Sequence, residues 1–163
     1  MRLPGLFLPE AFLVRKNVVP FKVIQPKTEN EFKAYFKLRW TLLRAPWNQP
    51  EGSETDEIET QCFHLMAVDE GGDIIGVARL QFNSESEAQI RYMAVARSHQ
   101  RQGVGHELII ALENHAATTA HSKIVLDARE PAVRFYQKSG YQVLEKSYLL
   151  FDEIQHFRMS KAL

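Results

Sequence analysis

The sequence has little cysteine, no excess of either charge and no long apolar run among its 163 residues. Its single cysteine, Cys62, excludes a disulfide scaffold and a cysteine-based zinc site. Lys and Arg number 20 against 20 Asp and Glu, which argues against generic nucleic-acid binding and polybasic membrane binding. No segment approaches the roughly 20 consecutive apolar residues of a membrane span. We therefore predict a cytoplasmic protein that binds neither nucleic acid nor membranes.

The composition is that of one ordinary globular domain, with 45% hydrophobic and 25% charged residues. A chain of this size buries about 68–70% of the surface that it exposes when unfolded, so it needs no structural metal. The opening segment is apolar but contains two prolines and no convincing small-residue cleavage site. We assign residues 1–20 to an N-terminal extension and residues 21–163 to a single domain.

The neutral total conceals a regional charge pattern. Residues 1–50 hold nine basic and three acidic side chains, whereas residues 51–60 hold five acidic and no basic ones. The acidic stretch at 51–59 fits a solvated loop, and it also fits a local field that attracts a cationic amine.

Hydrophobic periodicity and turn residues predict a mixed α/β (α+β) sheet flanked by helices. A capping box, Thr28 with Glu31, marks the start of the first helix. Short turns between the second, third and fourth strands predict an antiparallel meander. The predicted strands are 21–25, 63–69, 74–82, 88–95, 123–128, 141–145 and 154–159, and the predicted helices are 29–43, 103–117 and 131–139.

A glycine-containing segment, Gln100-Arg101-Gln102-Gly103-Val104-Gly105, lies between a predicted strand and a predicted helix. Its glycines permit a sharp turn and a close approach to a ligand, and the helix N-terminus attracts anions. It is not a Walker loop, because no Gly-Lys-Ser/Thr ends it, and it is not a dinucleotide-binding fingerprint, because Leu108 stands where the third glycine is required. A phosphate cradle and a simple turn that begins a helix both fit this segment.

The sequence resembles the GNAT superfamily of acetyl-CoA-dependent N-acetyltransferases over residues 21–162. The segment 100–105 is similar to the family's Gln/Arg-x-x-Gly-x-Gly/Ala motif, and Arg91–Val95 before it resembles the strand that carries a β-bulge. Ala132–Tyr141 and Ile154–Lys161 resemble two later family segments. Details around residues 39–40 and 49–54 resemble the GNAT half of bacterial proteins that fuse it to a thioesterase-like domain.

This resemblance implies a mostly antiparallel sheet that is splayed at the strand before the loop. It implies acetyl-CoA as co-substrate, no metal, and direct attack by a primary amine of a small molecule or peptide in a ternary complex. Backbone groups of Met93, Ala94 and Val95 would bind the pantetheine arm, and one N–H would polarise the thioester carbonyl. Arg129 stands where the family commonly has an asparagine that contacts this arm. The pyrophosphate would be held by the loop, Gln100, Arg101, Gln102, Gly103, Val104 and Gly105.

Two side chains are candidates for proton transfer. Tyr136 is the candidate acid for the leaving thiolate, with an amphipathic core residue as the alternative. His156 has an ordinary pKa of about 6.5, which suits a base, although a histidine on a strand also fits a structural role. Glu130, the acids of 51–59 and a chain of waters are rivals for the base.

Arg39 lies on the apolar face of its predicted helix. A charge there requires an ion pair or a cleft, so it is either structural or a substrate contact. Trp40 is a second candidate for the acceptor pocket, and Trp47 a third, with packing as the alternative for both.

Two other functions fit the same sequence. One is a non-catalytic module that binds and senses CoA, and the other is an interaction protein that uses the apolar segment 1–14. The sequence leaves open whether two copies form a homodimer. Its six histidines show no spacing that indicates a metal site.

Overall fold

The computed structural model describes residues 20–163, so the predicted extension lies outside the described residues except for Pro20. Short 3-10 turns occupy 45–47, 59–61, 97–99 and 130–132. The strands and helices in chain order are β1 (Phe21–Ile24), α1 (Glu29–Leu43), β2 (Phe63–Asp69), β3 (Ile74–Phe82), β4 (Glu87–Val95), α2 (Val104–Thr118), β5 (Lys123–Arg129), α3 (Val133–Lys138), β6 (Gln142–Leu150) and β7 (Ile154–Ala162).

The seven strands form one sheet in the order β1-β2-β3-β4-β5-β7-β6. Every neighbouring pair is antiparallel except β4 and β5. The parallel ladder joins Glu87–Ile90 to Lys123–Leu126 and extends no further. Beyond it the two strands diverge, which confirms the predicted fold class and its splayed sheet.

Helices cover both faces of the sheet. Since side chains alternate along a strand, Leu65 of β2 joins the core under α2, while Met66 joins the core under α1. Leu108 and Leu112 of α2 are fully buried, as is Tyr35 of α1. The capping box of α1 is present as predicted.

A β-bulge interrupts β4 beside the point of divergence. The register shifts between Arg91 and Ala94, so that Tyr92 and Met93 together oppose Ala78 of β3. Tyr92 has a φ of 51°, in the left-handed region that non-glycine residues rarely occupy. The bulge therefore redirects the side chains of β4 where the sheet opens.

The final hairpin is longer than predicted. Strands expected at 141–145 and 154–159 extend to Leu150 and Ala162, because β6 is an edge strand with eight exposed residues and lacks the alternating pattern of a half-buried strand. Within residues 20–163 no helix has both the length and the apolar character needed to cross a membrane.

Candidate functional site

Two neighbouring cavities open where β4 and β5 diverge. The larger, about 450 Å³, lies between the end of β4, the loop before α2, and α3, and we call it the groove. The smaller, about 120 Å³, lies between β4, β5 and the final hairpin, and we call it the arginine cavity. Met93, Ala132 and Tyr136 line both, so a ligand in one can contact a ligand in the other.

Most residues predicted to bind the cofactor line the groove. They are Met93, Ala94, Val95, Gln100, Arg101, Gly103, Val104 and Gly105. Gln102 is absent from the lining, since its side-chain amide donates to the Ser98 carbonyl at 3.2 Å.

Arg129 lies beside the groove and not in its lining. It lines the arginine cavity and not the groove, and its guanidinium donates to the Leu43 carbonyl at 3.3 Å while it lies over the Trp47 ring at 4.5 Å. The expected contact with a pantetheine arm stays a prediction, since the arginine cavity adjoins the groove at Met93, Ala132 and Tyr136.

The loop before α2 is folded so that several of its backbone N–H groups have no acceptor within the backbone of residues 20–163. Arg101 and Gly103 have φ values of 61° and 86°, which turn the chain sharply ahead of the helix. The first intrahelical bond is donated by Glu107 to the Gly103 carbonyl at 3.0 Å, so the N–H groups before it have no helical acceptor. Such a concave set of donors at a helix N-terminus suits a phosphate or pyrophosphate.

Gly105 brings α2 and α3 together at the wall of the groove. A Cβ at this position would lie 2.9 Å from Cζ of Phe135, a distance that real Cβ atoms do not adopt. The second glycine of the motif therefore serves helix packing, while the positive φ of Gly103 serves the turn.

Tyr136 stands at the boundary between the two cavities. Only 8% of it is exposed, and burial raises its pKa to about 12, with nearby Arg129 acting in the opposite direction. The phenol is therefore protonated at neutral pH. The rings of Phe135 and Tyr141 pack edge-on against it at 5.1 and 5.9 Å.

His156 lies on β7 directly opposite Arg129 of β5 and lines the arginine cavity. Its Nδ1 is 3.0 Å from the Ile154 carbonyl, which only accepts, so Nδ1 carries the hydrogen and Nε2 is the free nitrogen of the neutral ring. Burial lowers its pKa below the usual 6.5. The ring stacks on Tyr148 at 4.3 Å, which fixes its orientation.

Arg39 and Trp40 line neither cavity, so the structure does not place them for contact with a substrate there. Arg39 is fully buried and donates to Glu59 at 2.7 Å and to the Glu54 carbonyl at 3.0 Å. These contacts favour a structural ion pair for Arg39 over contact with a substrate. The Trp40 indole donates to the Gln49 carbonyl at 3.0 Å, a packing role.

The acidic stretch at 51–59 is not a wholly solvated loop, because two of its acids pair with a buried cation. Asp56 accepts two hydrogen bonds, at 2.8 and 2.9 Å, from the buried guanidinium of Arg79. These bonds hold the pKa of Asp56 below its usual value. Glu59 pairs with Arg79 at 2.9 Å, so the loop is fastened to β3 by ion pairs.

The lining of the arginine cavity contains side chains that the sequence did not single out. Arg91 and Tyr92 come from the bulge of β4, which was a detectable signal, whereas Arg44 follows α1 and Tyr148 lies on the unpatterned β6. Asp127 also lines the cavity, where Arg158 pairs with it at 2.8 Å. In residues 20–163 no three His, Cys, Asp or Glu side chains are grouped as a metal site.

Comparison with known proteins agrees with this architecture. Residues 48–163 match the family model described as an acetyltransferase (GNAT) domain. The uncharacterized N-acetyltransferase YjcF of Bacillus subtilis is 32% identical over 140 residues, which cover 86% of this chain and 99% of that protein.

Solved structures agree in fold. An acyl-CoA N-acyltransferase from Pseudomonas aeruginosa is 23% identical, has a TM-score of 0.72, and is matched over 88% of this chain and 99% of its own. A GNAT family acetyltransferase from Elizabethkingia anophelis with acetyl-CoA bound is 16% identical, has a TM-score of 0.65, and is matched over 91% and 100%. The chain belongs to the GNAT family of N-acetyltransferases.

Proposed function

We propose that this protein transfers the acetyl group of acetyl-CoA to a primary amine by direct attack in a ternary complex. The observation that carries the proposal is that the groove and the arginine cavity meet at Met93, Ala132 and Tyr136. Two substrates bound in these two sites would contact each other at Tyr136, as direct transfer requires.

The groove fits the cofactor through the chemistry of its donors. Acetyl-CoA supplies the acetyl group as an activated thioester. Backbone N–H groups of residues 102–105 bind the pyrophosphate, which is favoured by the start of α2. Because β4 pairs with β5 only as far as Ile90, the backbone of 93–95 makes no ladder bond to β5 and can pair with the pantetheine arm. The Val95 carbonyl accepts from the Gln100 side chain at 3.1 Å, so the N–H groups are the donors available there.

Tyr136 is the proposed acid. A phenol with a pKa of about 12 is a weaker acid than a thiol, whose ordinary pKa is about 8.5, so Tyr136 donates a hydrogen bond that strengthens as charge develops on sulfur. Within residues 20–163 only burial and the charge of Arg129, and no hydrogen bond, shift the pKa of its hydroxyl, so the proton is available to a ligand.

His156 is the proposed base, because Nε2 of the neutral ring is free to accept a proton from the attacking amine. The lowered pKa keeps the ring unprotonated at neutral pH. Glu130, a rival on sequence grounds, does not line either cavity.

The test is the release of CoA thiol by the purified protein with acetyl-CoA and a panel of amines, together with calorimetric titration of CoA. We expect saturable release that depends on an amine. Tight CoA binding with no release for any amine would contradict transfer and favour the non-catalytic sensor instead.

A further inference from the structure

The arginine cavity contains two cations that no carboxylate of the described chain neutralises. Nη1 of Arg44 donates to the Leu43 carbonyl at 2.9 Å, and Nη2 of Arg129 donates to the same oxygen at 3.3 Å. Within residues 20–163 neither guanidinium has an acidic side chain at ion-pair distance. Glu10 is the one acidic residue outside that range.

Aromatic rings fix both guanidinium groups without neutralising them. Arg129 lies over Trp47 at 4.5 Å, and Arg44 lies 5.5 Å from the rings of Tyr92 and Phe151. Such contacts order the planar groups before a ligand arrives. The free energy of placing the two guanidinium charges close together is therefore spent when the protein folds, and not when a ligand binds.

The other charges facing this cavity do not offset the two cations. Asp127 is paired with Arg158 at 2.8 Å, and Arg91 approaches Asp56 only at 3.7 Å. Burial first, and then the charge of Arg44, lower the pKa of Arg129, which is the signature of a cation lacking a partner. The ring of His156, with its lowered pKa, adds no charge at neutral pH.

We propose that the acceptor amine carries an acidic group, a carboxylate or a phosphate, that Arg44 and Arg129 bind. This inference rests on the proposed acetyl transfer and specifies its substrate class. A guanidinium fork matches both anions, and burial strengthens the contact. The volume of about 120 Å³ is below the roughly 300 Å³ of a typical ligand pocket, so the acceptor is small or inserts one end.

Wild-type protein provides the first test. Free amino acids are compared with their carboxamides, and aminoalkyl phosphates with the corresponding amino alcohols, at a fixed concentration of acetyl-CoA. We expect kcat/KM to favour the acidic member of at least one series by about tenfold or more, and the series that responds identifies the anion. Equal values within every pair, or a preference for the neutral members, would overturn the inference while leaving acetyl transfer intact.

Variants then assign the effect. Arg129→Gln and Arg44→Gln should each raise KM for the acidic acceptor by about tenfold and reduce the preference for acid over its neutral partner, with KM for acetyl-CoA unchanged within about twofold. Lys33→Gln removes an equal charge from the exposed side of α1 and is the control, with no effect expected. A preference that persists in both arginine variants would contradict the assignment.

A binding measurement makes the outcome independent of turnover. In calorimetry with CoA present, N-acetylglycine and N-acetylglycinamide serve as a matched pair of product-like ligands, and N-acetyl phosphoethanolamine as the phosphate probe. Tighter binding of an acidic ligand, lost in Arg44→Gln, supports the inference even if Arg129→Gln fails to fold. If no amine is acetylated, the proposed function fails, and this binding result alone decides whether the cavity selects anions.

Discussion

The groove and the arginine cavity share three residues but are built from different parts of the chain. The groove presents backbone N–H groups and two glycines from one continuous segment, 100–105. The arginine cavity takes its charged side chains from α1's end, β4 and β5, which are far apart in sequence. The proposed binding of an anion by backbone groups is therefore encoded locally, whereas the proposed selection of an acceptor depends on elements that are distant in sequence.

The largest effect is expected on kcat, from removing the hydroxyl of Tyr136 but not that of its buried neighbour Tyr141. Tyr136→Phe removes the hydroxyl at the junction of the two cavities and should lower kcat by about 100-fold, at the lower end of the range for general acids. CoA affinity should stay within about twofold, because the groove is intact. Steady-state kinetics and calorimetry measure the two quantities.

Tyr141→Phe is the matched control. Its hydroxyl donates to Glu113 at 3.2 Å, away from both cavities, so the substitution should affect stability and not kcat. Equal losses of kcat in the two variants would remove Tyr136 from the chemistry.

The second prediction tests whether the acidic stretch supports the arginine cavity or only the fold. Asp56→Asn should lower the free energy of unfolding by about 2 kcal/mol, because it leaves the buried guanidinium of Arg79 with one carboxylate, Glu59, besides the Gln81 amide oxygen at 2.7 Å. Chemical denaturation measures this free energy, and Glu57→Gln, at an exposed position of the same stretch, is the control. A raised KM for the acceptor with unchanged stability would mean that the loop acts on the substrate instead.

The sequence predicted the fold, and it singled out most of the loop residues that line the groove, because both signals are local. The capping box at Thr28, the turn at Gly71 and Gly72 and the motif at 100–105 each depend on neighbouring residues. The bulge in β4 followed from the family resemblance. The final hairpin was predicted too short because an exposed edge strand need not alternate in hydrophobicity.

The arginine cavity could not be predicted in the same way. Arg39 and Arg129 are both arginines in an apolar context, yet within residues 20–163 the first contacts Glu59 and the second contacts a carbonyl and an aromatic ring. Which arginine lacks a carboxylate depends on the path of the 51–59 loop, a tertiary property.

The finer resemblance to proteins fused to a thioesterase-like domain stays a prediction.

The third prediction compares two glycines of equal conformation. Gly103 and Gly72 both have a φ of 86°, and a Cβ at either position would meet nothing within 4 Å. An alanine at either site should therefore cost a similar strain of about 1 kcal/mol in unfolding free energy. Only Gly103→Ala should also weaken CoA binding, by about tenfold, because it displaces the N–H groups of the loop. Equal CoA affinity in the two variants would contradict the proposed pyrophosphate site.

The smallest expected effect is a shift in the pKa of His156 that is caused by the charges of the arginine cavity. Burial lowers the pKa of His156 most, and the charges of Arg129 and Arg44 lower it further. Arg129→Gln removes one of these charges, so the pKa of His156 should rise toward 6.5 by a fraction of a unit, which an NMR titration of the imidazole measures.

Binding of an acidic ligand should raise the pKa of His156 in the same direction, whereas CoA alone, bound in the groove, should change it less. The folded state favours the neutral ring, so the unfolded chain takes up the proton at a higher pH than the folded protein does. The contribution of His156 to the free energy of unfolding therefore declines as the pH falls below about 6.5. It stops declining once the pH is below the pKa of His156 in the folded protein. In Arg129→Gln that decline should be shallower, since the folded and unfolded values are closer together. Lys33→Gln should leave the titration unchanged, and an equal shift in that variant would show that net charge, and not the cavity, sets the pKa of His156.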